Sequence, residues 1–398
     1  MNFILTMSGG TTPVINSTLV GVIKGIKKFY PNSKLFIPKP GIVGIMNKNI
    51  FELDLENIDN KTLKDMQHLP GSSLTGAARV EKFNKAQLTQ LEETLKQLNI
   101  TTFINIGGSG TIKQTKFLDE NIKGINFIAL PKTIDNDLGD SEFSELLFTP
   151  GYLSAAKYII NHTYNLIREN EGASFNDKVV VSQIFGRETG FLAALANLVE
   201  NERVITLFPE KPISKEVLLQ HVKDKIDSYG GCIIIVPEGY DINGSIFAED
   251  FDKEYDESGQ VKWSFSHNSV AQIIISYLNK CNITARICNT TIEQRQSGSF
   301  LDSQDIKIAH AVGFKAIKLS KKYQNFFMGV NKNIKLVPIK LSEISDFNRN
   351  FPTEWIDDSF IKTNKLFKEY FKSLKPGKRI ISKVDSLSII KYLKTVEL

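Results

Sequence analysis

Apolar residues along this 398-residue chain fall into short runs, and each run breaks off into a turn rich in glycine or charge before a helix-period pattern begins. Phe3-Ile4-Leu5 leads into SGGTTP and then into Leu19, Val22, Ile23 and Ile26, whose i, i+3, i+4, i+7 spacing makes one helical stripe. The same grammar recurs where FINI (103–106) meets GGSGT, where INFIAL (125–130) meets PKTIDND, and where VVVSQI (179–184) meets FGRETG. Behind that last turn Phe191, Ala194, Leu195, Leu198 and Val199 repeat the helical spacing, and a further run, CIIIV (232–236), ends in PEG. Continuous apolar runs that alternate with helices predict mainly parallel sheets covered on both faces, an α/β doubly wound architecture. In such sheets ligands lie beyond the carboxyl ends of the strands, where each of these turns sits.

Composition narrows the reading. The chain is 41% hydrophobic and 23% charged, which is globular and enough for one large or two medium cores, so two Rossmann-like lobes are expected. Lys plus Arg number 49 against 44 Asp plus Glu, a formal charge of +5, with the basic residues scattered rather than gathered. That favours small anionic ligands and argues against a nucleic-acid partner. Cys232, Cys281 and Cys288 have no paired spacing, so neither a disulfide framework nor a zinc site is expected. MNFILTMSGG lacks the basic start of a signal peptide, and no apolar segment approaches the ~20 residues of a membrane span. The expectation is a soluble cytoplasmic protein with no membrane partner. Residues 239–263 are acidic and read as a solvated excursion, while the Lys-, Ser- and Asn-rich last seventy residues carry no motif beyond a strand over Ile334–Leu341.

The turns carry the chemistry. GGSGT (107–111) ends a strand and opens a helix, so its backbone N–H groups and the positive helix end suit a phosphate, and its glycines let a ligand approach the main chain. Ser8-Gly9-Gly10-Thr11-Thr12 is a second such loop, and at neighbouring strand ends the two form one anion cradle. Taken alone, Gly-rich turns are as often plain punctuation. Neither fits G-x-G-x-x-G, which disfavours a dinucleotide site. PKTIDND (131–137) is more specific. Its carboxylates are at home as turn or helix caps, but the motif also joins a point charge, Lys132, to two carboxylates. Asp135 can accept a hydroxyl proton, and Asp137 can orient a lysine, an arginine or a metal ion. Phosphoryl transfer asks a protein for that combination of positioning and charge neutralisation.

PKTIDND, GGSGT, FGR (185–187), PEG (237–239), EQR (293–295), Asp305 and AVGFKAI follow the order and approximate spacing seen in phosphofructokinases, which this chain resembles from about Met7 to Leu319. The resemblance implies phosphoryl transfer from diphosphate or ATP to the 1-hydroxyl of fructose 6-phosphate in a two-lobed α/β fold, by a homo-oligomer (dimer or tetramer) using Mg2+. It implies Asp135 as base, with Thr133, Lys132 and Asp137 as its catalytic neighbours. Gly9, Gly10, Arg79, Gly108, Ser109 and Gly110 are implied at the donor, and Gly186, Arg187, Glu238, Arg286 and Arg295 at the sugar phosphate. Lys178 stands where many members carry arginine, keeping the charge without the bidentate fork. Residues 1–140 are then the donor lobe, with part of 265–310 returning to it. Residues 141–264 are the sugar-phosphate lobe, and 311–398 an extension packing on both.

Departures from the family pattern sharpen these expectations. Ser109 stands at the usual magnesium-linked acidic position, and a neutral hydroxyl is a poorer ligand for a hard cation. Phe185 replaces the usual methionine, and Asp302 brings a carboxylate near the phosphate pocket. Gly110 leaves the space that diphosphate-using members fill with aspartate, which points to ATP. Lys132 and the wider sequence, SGGTTPVIN with TPGYLSAAKYI (149–159), resemble the diphosphate-type branch, which is the expected donor class. The alternative is a catalytically weakened, sugar-phosphate-binding or regulatory subunit of the same fold.

Overall fold

The computed structural model describes the chain apart from residues 73, 79, 81–82, 241–268, 291, 297, 345–347 and 383–389. The acidic excursion therefore lies almost wholly outside the described residues, as does Arg79. In chain order the strands are β1 (Asn2–Met7), β2 (Lys34–Pro38), β3 (Ile50–Leu53), β4 (Ile100–Gly107), β5 (Asn126–Pro131), β6 (Val179–Ile184) and β7 (Val204–Thr206). They continue as β8 (Cys232–Pro237), β9 (Ala285–Ile287), β10 (Leu301–Asp302), β11 (Phe326–Val330), β12 (Leu336–Lys340), β13 (Arg379–Ile380) and β14 (Leu393–Thr395).

The larger sheet runs β12-β11-β5-β4-β1-β2-β3-β14, with a parallel centre from β11 to β2 and antiparallel edges. The smaller runs β7-β8-β6-β9 and is parallel throughout. The apolar runs behave as buried central strands should: every residue of β5, β6 and β8 is buried. The segment containing the expected strand at Ile334–Leu341 supplies β12, so strands from the last eighty residues belong to the larger sheet.

The chain leaves the larger sheet after β5, builds the smaller one, and returns through the helix Ser303–Leu319. That helix packs on Ile15–Phe29 at backbone distance, because a side chain at Gly21 would lie 2.0 Å from the His310 carbonyl oxygen and one at Gly313 2.1 Å from that of Thr18. The expected helix behind FGRETG is a single α turn, Phe191–Ala194, tightened into a 3-10 segment, Leu195–Val199. Phe191–Asn197 is buried throughout and Glu200 closes the segment in the left-handed region at φ 54°, so packing and the stop override a longer helix. Among the described residues no helix is long and apolar enough to cross a membrane.

Candidate active site

The strand order places three motif turns side by side. β1 lies between β2 and β4, where the sheet reverses its winding, and β5 flanks β4, so the loops after β1, β4 and β5 share one crevice. The Ser8 N–H donates to the Ile106 carbonyl at 3.0 Å and the Lys132 N–H to that of Gly107 at 2.9 Å. The buried Lys132 ammonium donates to the Ser8 and Gly10 carbonyls at 3.0 and 2.5 Å, holding the first loop against PKTIDND. Gly9 adopts φ 75° in that loop. Gly108 precedes the helix Ser109–Asn121 without a side-chain cap, and a Cβ on it would lie 3.7 Å from the Lys132 carbonyl oxygen and 3.9 Å from Thr133 Cβ. The uncapped helix start thus abuts the acidic turn, an arrangement suited to an anion. Among the described residues a Cβ at Gly110 would meet nothing within 4 Å.

Within the turn, the Thr133 hydroxyl donates to Asp135 Oδ2 at 3.1 Å and accepts the Asp135 N–H at 3.1 Å, fixing the carboxylate's orientation. Burial pushes the Asp135 carboxyl above its usual range, while the Thr133 hydrogen bond and the charges of Arg187, Arg295 and Lys132 pull it back. Those three cations come from three separate segments, Arg295 from the short helix Glu293–Gln296. Burial and then the charge of Asp135 push Asp137 up to about 7, against the pull of Arg349. Asp137 Oδ1 is buried without a hydrogen-bond partner among the described residues.

The opposite wall comes from the smaller sheet. Ile184 and Pro237 are register partners on β6 and β8, so the FGR and PEG loops are neighbours. Gly186 sits at φ 119°, where a side chain would also lie 2.8 Å from the Thr189 carbonyl oxygen; only glycine makes this turn without strain. Arg187 Nε stands 3.9 Å from Oε1 of the largely buried Glu238. Arg295 bridges the walls: its guanidinium lies over the Phe185 ring, and a side chain at Gly10 would come within 2.8 Å of its Nη1. The site is therefore a cleft with a Gly-rich cradle on one side, arginines on the other and the Asp135 carboxylate between them.

The family model described as phosphofructokinase matches residues 2–320. The chain belongs to the phosphofructokinase family. The pyrophosphate–fructose 6-phosphate 1-phosphotransferase of Rhodospirillum rubrum is 27% identical over 330 residues, 79% of this chain and 78% of that one. An ATP-dependent 6-phosphofructokinase of Aliivibrio fischeri is 29% identical over 221 residues, 55% of this chain and 63% of that one. The crystal structure of the pyrophosphate-dependent phosphofructokinase from Nitrosospira multiformis superposes with a TM-score of 0.82 at 22% identity, over 100% of this chain and 97% of that one.

Two basic residues expected in this phosphofructokinase's sugar site stand elsewhere. Lys178 precedes β6, and Arg286 on β9 is in register with Val180, so both lie toward the opposite end of the strand from Arg187, roughly 13 Å or more away. Arg286 pairs with Asp177 at 2.7 Å and Glu169 at 3.2 Å and is half exposed. Asp302 does not oppose a phosphate: it caps the helix Ser303–Leu319, accepting the Gln304 and Asp305 N–H groups, and pairs with Lys157 at 3.0 Å. Asp305 accepts the Gly151 N–H at 2.8 Å, the Ser154 N–H at 2.9 Å and the Ser154 hydroxyl at 2.7 Å, and Gly151 is bridged in turn to Thr133. Sequence reasoning missed Arg349 and Tyr370, which pack behind the acidic turn from the tail.

Proposed function

We propose that this phosphofructokinase transfers a phosphoryl group from diphosphate to the 1-hydroxyl of fructose 6-phosphate, giving fructose 1,6-bisphosphate as a step of glycolysis in the cytoplasm. The observation that carries the reading is the field at Asp135, where Lys132, Arg187 and Arg295 all act on one carboxylate. Such a carboxylate can take the hydroxyl proton as the oxygen attacks, while the surrounding cations hold the two phosphate-bearing ends. The larger sheet then carries the donor, over Gly9, Gly10, Gly108, Ser109 and Gly110, and the smaller the sugar phosphate, over Gly186, Arg187 and Glu238; Arg79, the further donor residue expected from the sequence, lies outside the described residues.

Magnesium fits this donor set in part. Asp135 and Asp137 Oδ1 would be hard oxygen ligands for it and the Ser109 hydroxyl a weak one, and a cation held there would shield charge on the donor phosphates. Among the described residues no group of three or more His, Cys, Asp or Glu is gathered for a metal, so the remaining ligands are donor oxygens and water. Lys178 and Arg286, set apart from Arg187 on the same sheet, would then serve the sugar phosphate of a second copy of the chain, in a homo-oligomer.

The open space at Gly110 favours a second reading, with ATP as donor. Turnover at saturating fructose 6-phosphate and Mg2+ with each donor in turn decides between them. Diphosphate-supported activity is expected, activity with ATP alone overturns the donor assignment, and inactivity with both leaves a sugar-phosphate-binding subunit.

A further inference from the structure

Arg349 has no part in the proposed chemistry, yet it is only 3% exposed, and among the described residues its side-chain hydrogen bonds all go to the rear of the acidic turn and the segment behind it. Nε donates to the Asn136 carbonyl at 2.8 Å, Nη1 to that of Leu146 at 2.5 Å, and Nη2 to Asn136 Oδ1 at 2.8 Å. The Arg349 main-chain N–H donates to the Asp137 carbonyl at 2.7 Å, and the guanidinium lies 4.2 Å from the centroid of Phe143. Every one of these acceptors is uncharged, so a cation has been buried at a substantial desolvation cost without a direct carboxylate partner among the described residues. What it holds is strained: Asn136, between the two carboxylates, sits at φ 58°. The amide of Asn136 is fixed from two further sides, and one of those partners is itself anchored. Its Oδ1 accepts the Thr149 N–H at 3.0 Å, its Nδ2 donates to Tyr370 Oη at 2.7 Å, and that hydroxyl donates to the Leu147 carbonyl at 2.9 Å.

Two residues further on, the chain reaches the other wall of the cleft. The Phe351 N–H donates to Glu210 Oε1 at 2.7 Å, and the same oxygen accepts the Gly190 N–H at 3.0 Å. Gly190 closes the FGRETG loop that carries Gly186 and Arg187. We infer that residues 349–351 form a strap that sets the spacing between the acidic turn and the FGRETG loop, with Arg349 the positioning residue for Asp135 and Asp137 and Glu210 the anchor on the sugar side. Transfer between two bound phosphorylated molecules needs the base and the arginines in one register, and a displacement of ~1 Å costs about 100-fold in rate.

The strap rests on the phosphotransferase reading, so its test has one arm that needs no activity. Arg349→Lys keeps the charge but loses the fork. Amide exchange should quicken at 133–139 and also at 186–190, and quickening confined to 133–139 makes Arg349 a local clamp and overturns the strap. Absence of turnover in the unmodified protein with both donors defeats the functional reading and leaves this arm to decide. In the kinetic arm, Arg349→Lys should lower kcat about 100-fold while KM for fructose 6-phosphate stays within about threefold. Glu210→Ala should instead raise that KM about tenfold, and Glu210→Gln, whose amide oxygen still accepts both N–H groups, should restore it. If Arg349→Lys does not fold, Tyr370→Phe is read in its place, with kcat expected to fall about fivefold. A folded variant with native kcat, or Glu210→Ala with native KM, overturns the inference.

Discussion

The guanidinium carbon of Arg295 lies 4.9 Å from the centroid of the Phe185 ring. The residue that departs from the family's usual methionine is therefore the shelf on which an active-site arginine rests. A cation over an aromatic face gains about 0.5–2 kcal/mol and, more to the point here, is held in one plane.

Phe185→Ala should remove that plane. KM for fructose 6-phosphate is expected to rise about tenfold with a smaller fall in kcat, because Arg295 loses orientation while Asp135 keeps its own. Steady-state kinetics at saturating donor measures both. An unchanged KM means that Phe185 only fills space.

Asp135→Asn replaces the acceptor by an amide of the same shape that cannot take a proton. The expected loss in kcat is about 100- to 10,000-fold, with KM and the melting temperature close to native. A fall of only a few-fold would mean that the sugar hydroxyl gives its proton elsewhere.

Much of this cleft was legible along the chain, and the reason is local. Gly-rich turns, PKTIDND and FGR each follow a buried apolar run, and in parallel sheets run and turn together fix where the turn must lie. Arg349, Tyr370 and Glu210 were not legible. An arginine in SDFNRNFP reads as a solvated charge, and nothing within a few residues shows that Phe143 and Phe191 will cover it. Its role exists only after residues some two hundred positions apart have packed. Lys178 and Arg286 are the converse case: family position marks them as sugar ligands, but the register of β6 with β9 sets both away from Arg187.

Asp305 is buried beneath the same turn, where it receives three hydrogen bonds from Gly151 and Ser154. Asp305→Ala leaves those donors unmet, and a loss of about 3–5 kcal/mol in unfolding free energy is expected from urea titration. Since Gly151 is bridged to Thr133, kcat should fall as well in whatever fraction folds. A loss below about 1 kcal/mol would show that water replaces the carboxylate.

The acidic pair predicts the pH profile. Asp137, pushed up to about 7 by burial and the neighbouring Asp135, still binds its proton where an ordinary carboxylate has lost it. Activity that requires the ionised pair should therefore rise as pH climbs through about 7 and level off above it. Asp137→Asn removes the group that titrates at about 7, so the acid limb of the residual activity should move to lower pH, where Asp135 alone sets it. A limb that stays in place would show that Asp137 does not set it.

Gly110 offers the sharpest test of donor choice. Gly110 lies in the first turn of the helix Ser109–Asn121, and a Cβ there meets none of the described residues within 4 Å, so Gly110→Asp meets no steric obstacle among them. The helix start should welcome the new carboxylate by about 0.3–1 kcal/mol, and stability should hold. In the cleft the carboxylate occupies the room that a nucleoside would need and repels its α-phosphate, while diphosphate ends short of it. The ratio of ATP-supported to diphosphate-supported kcat/KM should fall at least about tenfold. If both donors suffer equally, the space at Gly110 lies across the path of the transferred phosphate itself; if neither does, the donor lies elsewhere.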